Sequence, residues 1–423
     1  MFELGEQHRM VAQMVRRWCE ANLVPALPAL EAGTAQPFEL MRKMARAFGL
    51  DAMARASVTR RVEKLRAAGD AAGAEAGAGA TTETDADADA DGPGGNDPML
   101  GFVLVKELSR VSPGFAMGFG VSVGLAAGAI TSRGSADQIE RWALPLVTME
   151  KIGSWCLTEP GAGSDAFGSM QTTARPVPGD GPTEYVLRGS KTFITNGPGA
   201  DLFVVYARVD RGEERADQDV AAFVVERGME GFSVGPPFKK MGMRDSPTSE
   251  IFFDDVKLPA ENLLGGRERR GGRHDTKQNL ASERSAVPAM AWGIIERCYE
   301  QSLAYARERQ QFGRPIGDFQ AVQLKLADMF IKLKNVENLV FRTAWMQRKK
   351  IRDAAFVNAS KAHAAMMAVD VAMTAIQIHG GYGYMEEVGL EKLARDAKLL
   401  ELGAGTTDIN LLAAARAELA RLG

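Results

Sequence analysis

Four stretches of this 423-residue chain carry residue types and spacings that could hold a ligand or assist a reaction. The sharpest is SWCLTEPGAGSDAFGSM, residues 154–170. A short apolar strand runs into Thr158, Glu159 and Pro160, then into Gly161, Ala162, Gly163, Ser164 and Asp165. Glycines let a backbone turn and bring N–H groups close to a flat or anionic ligand, and Thr158 and Ser164 add hydroxyls at the same edge. The same composition also suits a plain strand and tight turn closed locally by Thr and Ser. KTFITNGPGADLF (191–203) reads as a hairpin, with Phe193 as a core residue and Thr195 as a strand residue. RQQFGRPIGDFQ (309–320) places Arg309, Phe312 and Gln320 at one helix junction, or makes an ordinary interhelical loop with Phe312 packed inside. HGGYGYM (379–385) follows a helical stretch, and Gly380 and Gly381 can stop that helix and admit close approach of another chain or a ligand.

These stretches need elements to position them. The chain reads as helix-rich, then strand-rich, then helix-rich. In the first part, to about residue 150, Met10, Val11, Met14, Val15 and Trp18 form one apolar stripe at helical spacing. Residues 99–130 are apolar and rich in Gly, Ala and Met, as in a helix packed closely on others. Between them, over about 66–98, lies an acidic low-complexity segment without aromatics or large aliphatics. It cannot bury enough apolar surface to offset chain entropy, so it reads as a disordered surface insertion, with an acidic docking segment as the alternative. In the middle part, 151–265, YVL, LFVVYAR, VAAFVVE and EIFFDDV are short β-rich runs separated by turn residues, which suggests a small barrel or sandwich. The last part, 278–423, carries four amphipathic helical patterns, including Val287–Cys298, Leu326–Val340 and LLAAARAEL, as in an antiparallel bundle.

Composition narrows the chemistry. Fifty-one bases against 54 acids give a net charge of −3, which argues against nucleic-acid binding. Residues 67–97 hold eight acids and no base, so the remainder of the chain is +5 and suits an anionic substrate or cofactor. Three dispersed cysteines form neither a disulfide framework nor a zinc site and fit a reducing compartment. The four histidines do not cluster, so no metal site is expected. No apolar run approaches membrane-spanning length and the N-terminus lacks a signal pattern, so a cytoplasmic protein is expected. There is no P-loop and no GxGxxG after a strand.

Taken together, TEPGAGSD, KTFITNG, KMGMRDSPT, the SER…RQQFG…FQ run, QIHGGYGY and RDAKLLELGAGT resemble the acyl-CoA dehydrogenases, in family order and spacing apart from one insertion. The resemblance is strong over about 100–423 and weak over 1–50. It implies an α+β multidomain fold with an N-terminal helical domain, a middle β-barrel and a C-terminal four-helix bundle. It implies FAD between barrel and bundle, a homotetramer, an acyl-CoA substrate and electron-transfer flavoprotein as acceptor. By resemblance Leu157, Thr158 and Ser164 border the flavin. Phe193 stands where many members have tryptophan, and Thr195 bonds near the reactive flavin nitrogen. Arg309, Phe312 and Gln320 meet the adenosine-pyrophosphate half from a neighbouring subunit, completed by Gln377, Gly380, Gly381 and Thr406.

The family chemistry needs a carboxylate for the α-proton and hydrogen-bond donors for the thioester carbonyl. Many members carry the base in a Tyr-Glu-Gly-Thr segment; this chain has Gly403, Ala404, Gly405 and Thr406 there. Ala404 keeps only its backbone N–H. In the isovaleryl-CoA and long-chain types the base lies early in the bundle before an arginine, and Ser282, Glu283 and Arg284 match that pattern. Glu283 is therefore read as the base and Arg284 as its neighbouring charge, against an ordinary exposed helix glutamate. Gly403 implies a wider acyl pocket. The basic run GGRERRGGRHDTKQ (265–278) reads as a solvated loop or as a contact for CoA phosphates or a carrier-protein thioester. The alternatives in function are an acyl-CoA oxidase or flavin monooxygenase of the same fold, and a catalytically silent partner subunit.

Overall fold

The computed structural model describes residues 3–74, 97–177, 184–214, 218–266 and 272–421, with side chains of 69–74 and 272–282 left aside. The N-terminal helices are α1 (Glu6–Trp18), α2 (Val24–Glu31), α3 (Phe38–Ala47), α4 (Leu50–Ala74), α5 (Pro98–Ser109), α6 (Pro113–Gly120) and α7 (Ala127–Arg133). Two short helices follow, α8 (Ala136–Gln138) and α9 (Leu144–Val147). The α1 stripe is narrower than its sequence suggests. Val15 and Trp18 are buried, whereas Met10 and Met14 are exposed. Ala12 and Cys19 share the buried face instead, because the core sits slightly around the helix from the methionines.

The segment read as a disordered insertion over 66–98 is shorter at both ends. Helix α4 runs on to Ala74, and Asp97 caps α5 by accepting from the Met99 N–H at 3.0 Å while pairing with His8 at 2.8 Å. The acidic stretch 75–96 lies outside the described residues. The expectation that no apolar run approaches membrane-spanning length also fails. A π-helical segment, Val121–Ala126, joins α6 to α7, and Pro113–Arg133 is 21 residues long and apolar enough to cross a bilayer. Buried residues make up 61% of its most apolar window, and it serves as a core helix in this molecule.

The middle strands are β1 (Gly153–Cys156), β2 (Thr173–Val177), β3 (Glu184–Thr195), β4 (Leu202–Val209), β5 (Val220–Glu226), β6 (Phe232–Val234) and β7 (Thr248–Leu258). They form one curled sheet in the order β1-β4-β2-β3-β7-β6, with β5 added on β4. Curling brings Phe203 of β4 to 4.7 Å from Phe232 of β6, and Tyr185 of β3 to 5.1 Å from Phe223 of β5, measured between ring centroids. Alternation along the strands divides the apolar residues between two cores. Phe203 and Val205 join the main core, while Leu202, Val204 and Tyr206 pack on Ile130, Trp142 and Leu146 of the N-terminal helices. The hairpin expected at 191–203 does not form. β3 pairs with β2 and β7, and β4 pairs with β1, β2 and β5. The Asn-Gly turn carries the chain between strands that β2 separates, and the Asn196 side chain anchors it, its Nδ2 donating to the Gly118 and Gly153 carbonyls at 2.8 and 3.1 Å.

The bundle comprises α10 (Gly272–Glu308), α11 (Gln320–Arg348), α12 (Ala354–His379), α13 (Leu390–Leu402) and α14 (Thr407–Leu419). Three helices are long. The fourth helix, expected through LLAAARAEL, is α14, and α13 precedes it across a break at Gly403–Thr406. A two-strand ribbon, β8 (Gln310–Gln311) with β9 (Arg314–Pro315), closes the α10–α11 junction.

Candidate active site

Three groups of residues carry the site geometry. In the first, β1 leads into the glycine turn and β3 passes beside it. The turn is closed by backbone, Glu159 N–H to Ala162 O at 3.2 Å and the reverse bond at 3.1 Å, and by Asp165, which accepts from Gly168 N–H and Ser169 Oγ. Thr158 and Ser164 are not its closers, contrary to the plainer sequence reading; their hydroxyls have no partner among the described residues. A Cβ added at Gly161 or Gly163 meets nothing within 4 Å, so this edge is open. The turn is tied to β3 by a buried ion pair. Lys191 Nζ lies 2.8 Å from Glu159 Oε1 and 3.0 Å from the Leu157 carbonyl, and Glu159 also accepts from Thr172 N–H at 2.9 Å. Lys191 stabilises the Glu159 carboxylate, whose pKa is held below its usual value against the cost of burial.

Between Lys191↔Ile251 and Ile194↔Ser249 the β3 register gains one residue, a bulge. It places Phe193 at φ 58° with the ring 68% exposed. A bulky residue in left-handed backbone is strained, and strain of this kind gathers at ligand sites. Phe193 is thus not a core residue. Its ring touches Phe238, 5.6 Å between centroids, and leaves its other side open. Thr195 is half-buried, and its carbonyl accepts from Ser154 Oγ at 2.8 Å.

The second group lies in the bundle. Glu283 is partly buried on α10, and desolvation pushes its carboxyl up to about 7 against the pull of Arg284 and Lys361. It is not the ordinary exposed helix glutamate. Arg284 donates Nε–H to the Ala404 carbonyl at 3.1 Å and Nη1–H to Asn358 Oδ1 at 3.0 Å. Lys361 donates to the Gly405 carbonyl at 2.6 Å. Asn410 Nδ2 reaches the Gly405 and Thr406 carbonyls at 2.7 and 2.9 Å. Ala404 has φ 55°, and the N–H groups of Ala404 and Gly405 meet no acceptor among the described residues. Thr406 caps α14 by accepting from the Ile409 N–H at 3.2 Å. Asn358, Lys361 and Asn410 escaped the sequence reading. The available signal was a polar pair at helical spacing, Asn358 and Lys361, inside an alanine-rich run.

The third group faces solvent. Phe312 has φ 53° and is 94% exposed, so it is not packed inside an interhelical loop. Arg309, Gln320 and Gln377 are exposed, and their side chains have no partner among the described residues. Added Cβ atoms at Gly380 and Gly381 meet nothing within 4 Å. His379 is structural: its Nδ1 lies 2.9 Å from the Ala375 carbonyl and its ring stacks on Tyr305. No hydrogen bond or ion pair joins Phe193 or Thr195 to Glu283, or either to Arg309, among the described residues. Of the basic run 265–278, residues 267–271 lie outside the description and Gly272 begins α10.

Three family models match in succession: the N-terminal, middle and C-terminal domains of acyl-CoA dehydrogenase, over residues 50–150, 154–256 and 270–419. The chain belongs to the acyl-CoA dehydrogenase family. This dehydrogenase is 37% identical over 318 residues to a short-chain specific acyl-CoA dehydrogenase of Clostridium acetobutylicum, covering 75% of this chain and 82% of that one. It is 36% identical over 315 residues to the caffeyl-CoA reductase–Etf complex subunit CarC of Acetobacterium woodii, covering 74% and 81%. Its fold matches butyryl-CoA dehydrogenase of Megasphaera elsdenii at a TM-score of 0.81 and 31% identity, over 99% of this chain and 100% of that one. It matches an FAD complex of PigA at 0.82 and 26% identity, with both chains covered in full. The dehydrogenase is therefore a flavoprotein oxidoreductase of three domains, helical, β and helical.

Proposed function

We propose that the dehydrogenase oxidises an acyl-CoA thioester between its α and β carbons with FAD bound, and that Glu283 removes the α-proton. FAD, when bound, supplies the acceptor for the β-hydride. The observation that carries the reading is the pairing of Arg284, the neighbour of Glu283 on α10, with the 403–406 loop. A carboxyl pushed up to about 7 is a competent base near neutral pH, because base strength and ionised fraction are both adequate there. The unpaired Ala404 N–H is a donor for the thioester oxygen, where negative charge grows as the α-proton leaves. Arg284 holds the Ala404 carbonyl and so couples the base's helix to that donor. This is the base placement of the isovaleryl type.

The residues fit the cofactor. Phe193, exposed on a strained bulge beside the open Gly161–Gly163 edge, offers a flat apolar wall, and Leu157, Thr158, Ser164 and Thr195 border it. Arg309, Phe312, Gln320, Gln377, Gly380, Gly381 and Thr406 would hold the adenosine-pyrophosphate half across a homotetramer interface. The Etf-complex relative supports electron-transfer flavoprotein as the acceptor. Three reduced, buried thiols suit a cytoplasmic location.

The test is anaerobic bleaching of the yellow protein over short, branched, long and aromatic acyl-CoAs. Wild type bleaches with its substrate, and Glu283→Gln should slow that bleaching about 10²–10⁴-fold. A Glu283→Gln protein that bleaches at the wild-type rate removes Glu283 from the role. Fast reoxidation of the bleached protein by air would point to oxygen chemistry.

A further inference from the structure

The loop carrying Ala404 is clamped from three helices. Arg284 of α10, Lys361 of α12 and Asn410 of α14 between them occupy the carbonyls of Ala404, Gly405 and Thr406. Ala404 and Gly405 both have positive φ, 55° and 85°. An alanine stays in left-handed backbone only where its surroundings over-determine it, and three donors on three successive carbonyls do that. Lys361 differs from the other two clamps. Its side chain is wholly buried, and no carboxylate lies within ion-pairing distance of its ammonium among the described residues. A buried cation without a carboxylate in ion-pair contact works against folding, so a neutral donor would be the ordinary choice here.

We propose that Lys361 is a positioning residue for the reaction above. Its ammonium draws the Gly405 carbonyl toward α12, which fixes where the Ala404 N–H points, and its charge stands with that of Arg284 beside Glu283. The inference rests on Glu283 as base and Ala404 as donor. The charged groups bearing on Glu283 are Arg284 from its own helix and Lys361 from α12. Glu401 of α13 bears on Lys361 in turn. With Lys361 neutral, Glu283 would hold its proton to higher pH and the donor would lose its fixed direction.

The experiment uses flavin-loaded Lys361→Met and Lys361→Gln. The probe is the enoyl-CoA product of the best-bleached acyl-CoA, carrying ¹³C at the thioester carbonyl and read by infrared difference spectroscopy. Wild type should lower the carbonyl frequency, and both variants should return it toward the free-solution value. kcat should fall about 10²–10³-fold, as when one oxyanion donor is lost, with a smaller change in KM. The acidic limb of kcat/KM should move to higher pH. Lys361→Gln keeps a neutral donor and carries the test should Lys361→Met fail to fold; Lys361→Arg should recover part of the frequency shift. A folded variant without the lysine that keeps the wild-type frequency and acidic limb overturns the proposal. Glu283→Gln separates the two ideas: it should slow bleaching about 10²–10⁴-fold and leave the frequency shift in place. Bleaching there at the wild-type rate defeats the base assignment, whereas a wild-type frequency shift retained in Lys361→Met defeats only the positioning role.

Discussion

A carboxyl that titrates near neutrality in the folded chain and near 4.5 when exposed makes two claims of opposite sign. In the proposed reaction Glu283 must lose its proton, so kcat/KM should rise with pH through about 7, and Glu283→Gln should flatten that limb. For stability the folded state binds the proton more tightly than the unfolded state. The contribution from Glu283 is therefore complete below about 4.5 and is lost as pH rises through about 7. Denaturant unfolding of wild type against Glu283→Gln across that interval should show the variant gaining relative stability as pH rises. A constant difference would mean that residue 283 is not desolvated. At this scale much was legible. The Ser282–Glu283–Arg284 triplet and the alanine at 404 are visible as letters. Lys361 is not, because a lysine in an alanine-rich helix reads as a solvated face and its acceptor lies 44 residues further along the chain. Phe193 misleads for a related reason. Its hydrophobicity argues for the core, and only the pairing of β3 with β7 creates the bulge that turns it out.

Among the elements, β1 and β3 are joined by one buried pair on which the glycine turn depends. Lys191→Met would leave Glu159 as an uncompensated buried carboxylate. The expected loss is about 3–5 kcal/mol, read from denaturant midpoints. The double variant Lys191→Met/Glu159→Gln should recover part of it, since the remaining groups are neutral; equal losses in both would show that the charge is not the cause. The strand runs of the middle domain were readable from composition and alternation, but their pairing was not. An Asn-Gly turn shows where the chain reverses but not which strands it joins; Asn196 keeps its place in the turn at φ 64° while its side chain bridges a helix and β1. The break between α13 and α14 was readable in the same partial way. Gly403, Gly405 and the capping Thr406 mark the break in the sequence, but the side chains of Arg284, Lys361 and Asn410 that hold the turn are not readable there.

The three domains meet around one ammonium. Lys392 of α13 lies 2.5 Å from Asp396, 3.3 Å from Asp245 of the middle domain and 3.3 Å from Glu31 of α2. The three carboxylates raise its pKa well above the ordinary value despite burial. Asp396 also accepts from the Met243 N–H, and Ser112 donates to Asp245, so helix, sheet and bundle share one polar core. Lys392→Met should cost about 3–5 kcal/mol by leaving those acids without their cation. The thiols provide the readout. Cys19 and Cys298 are pushed up to about 12 by burial, and Cys156 is raised further. Native protein should resist an aromatic disulfide reagent, and Lys392→Met should admit it at denaturant concentrations that wild type withstands. Equal resistance in both would show that the domains do not depend on this cluster. The family's domain order was legible from motif sequence alone, whereas this junction was not, since its members are scattered from residue 31 to 396.

The helical run Pro113–Arg133 has a consequence during synthesis. A ribosome delivers this stretch before the strand that covers it. Gly153 of β1 donates its N–H to Ser122 at 2.9 Å, and its bare α-carbon lets the strand lie against Ala126, where a methyl group would come within 2.8 Å. Until that strand emerges, the nascent chain carries an apolar run long enough to cross a bilayer without the strand that covers it. Prompt docking of β1 is thus what covers this run, and a slow codon placed between Arg133 and Gly153 would lengthen the time it stays open.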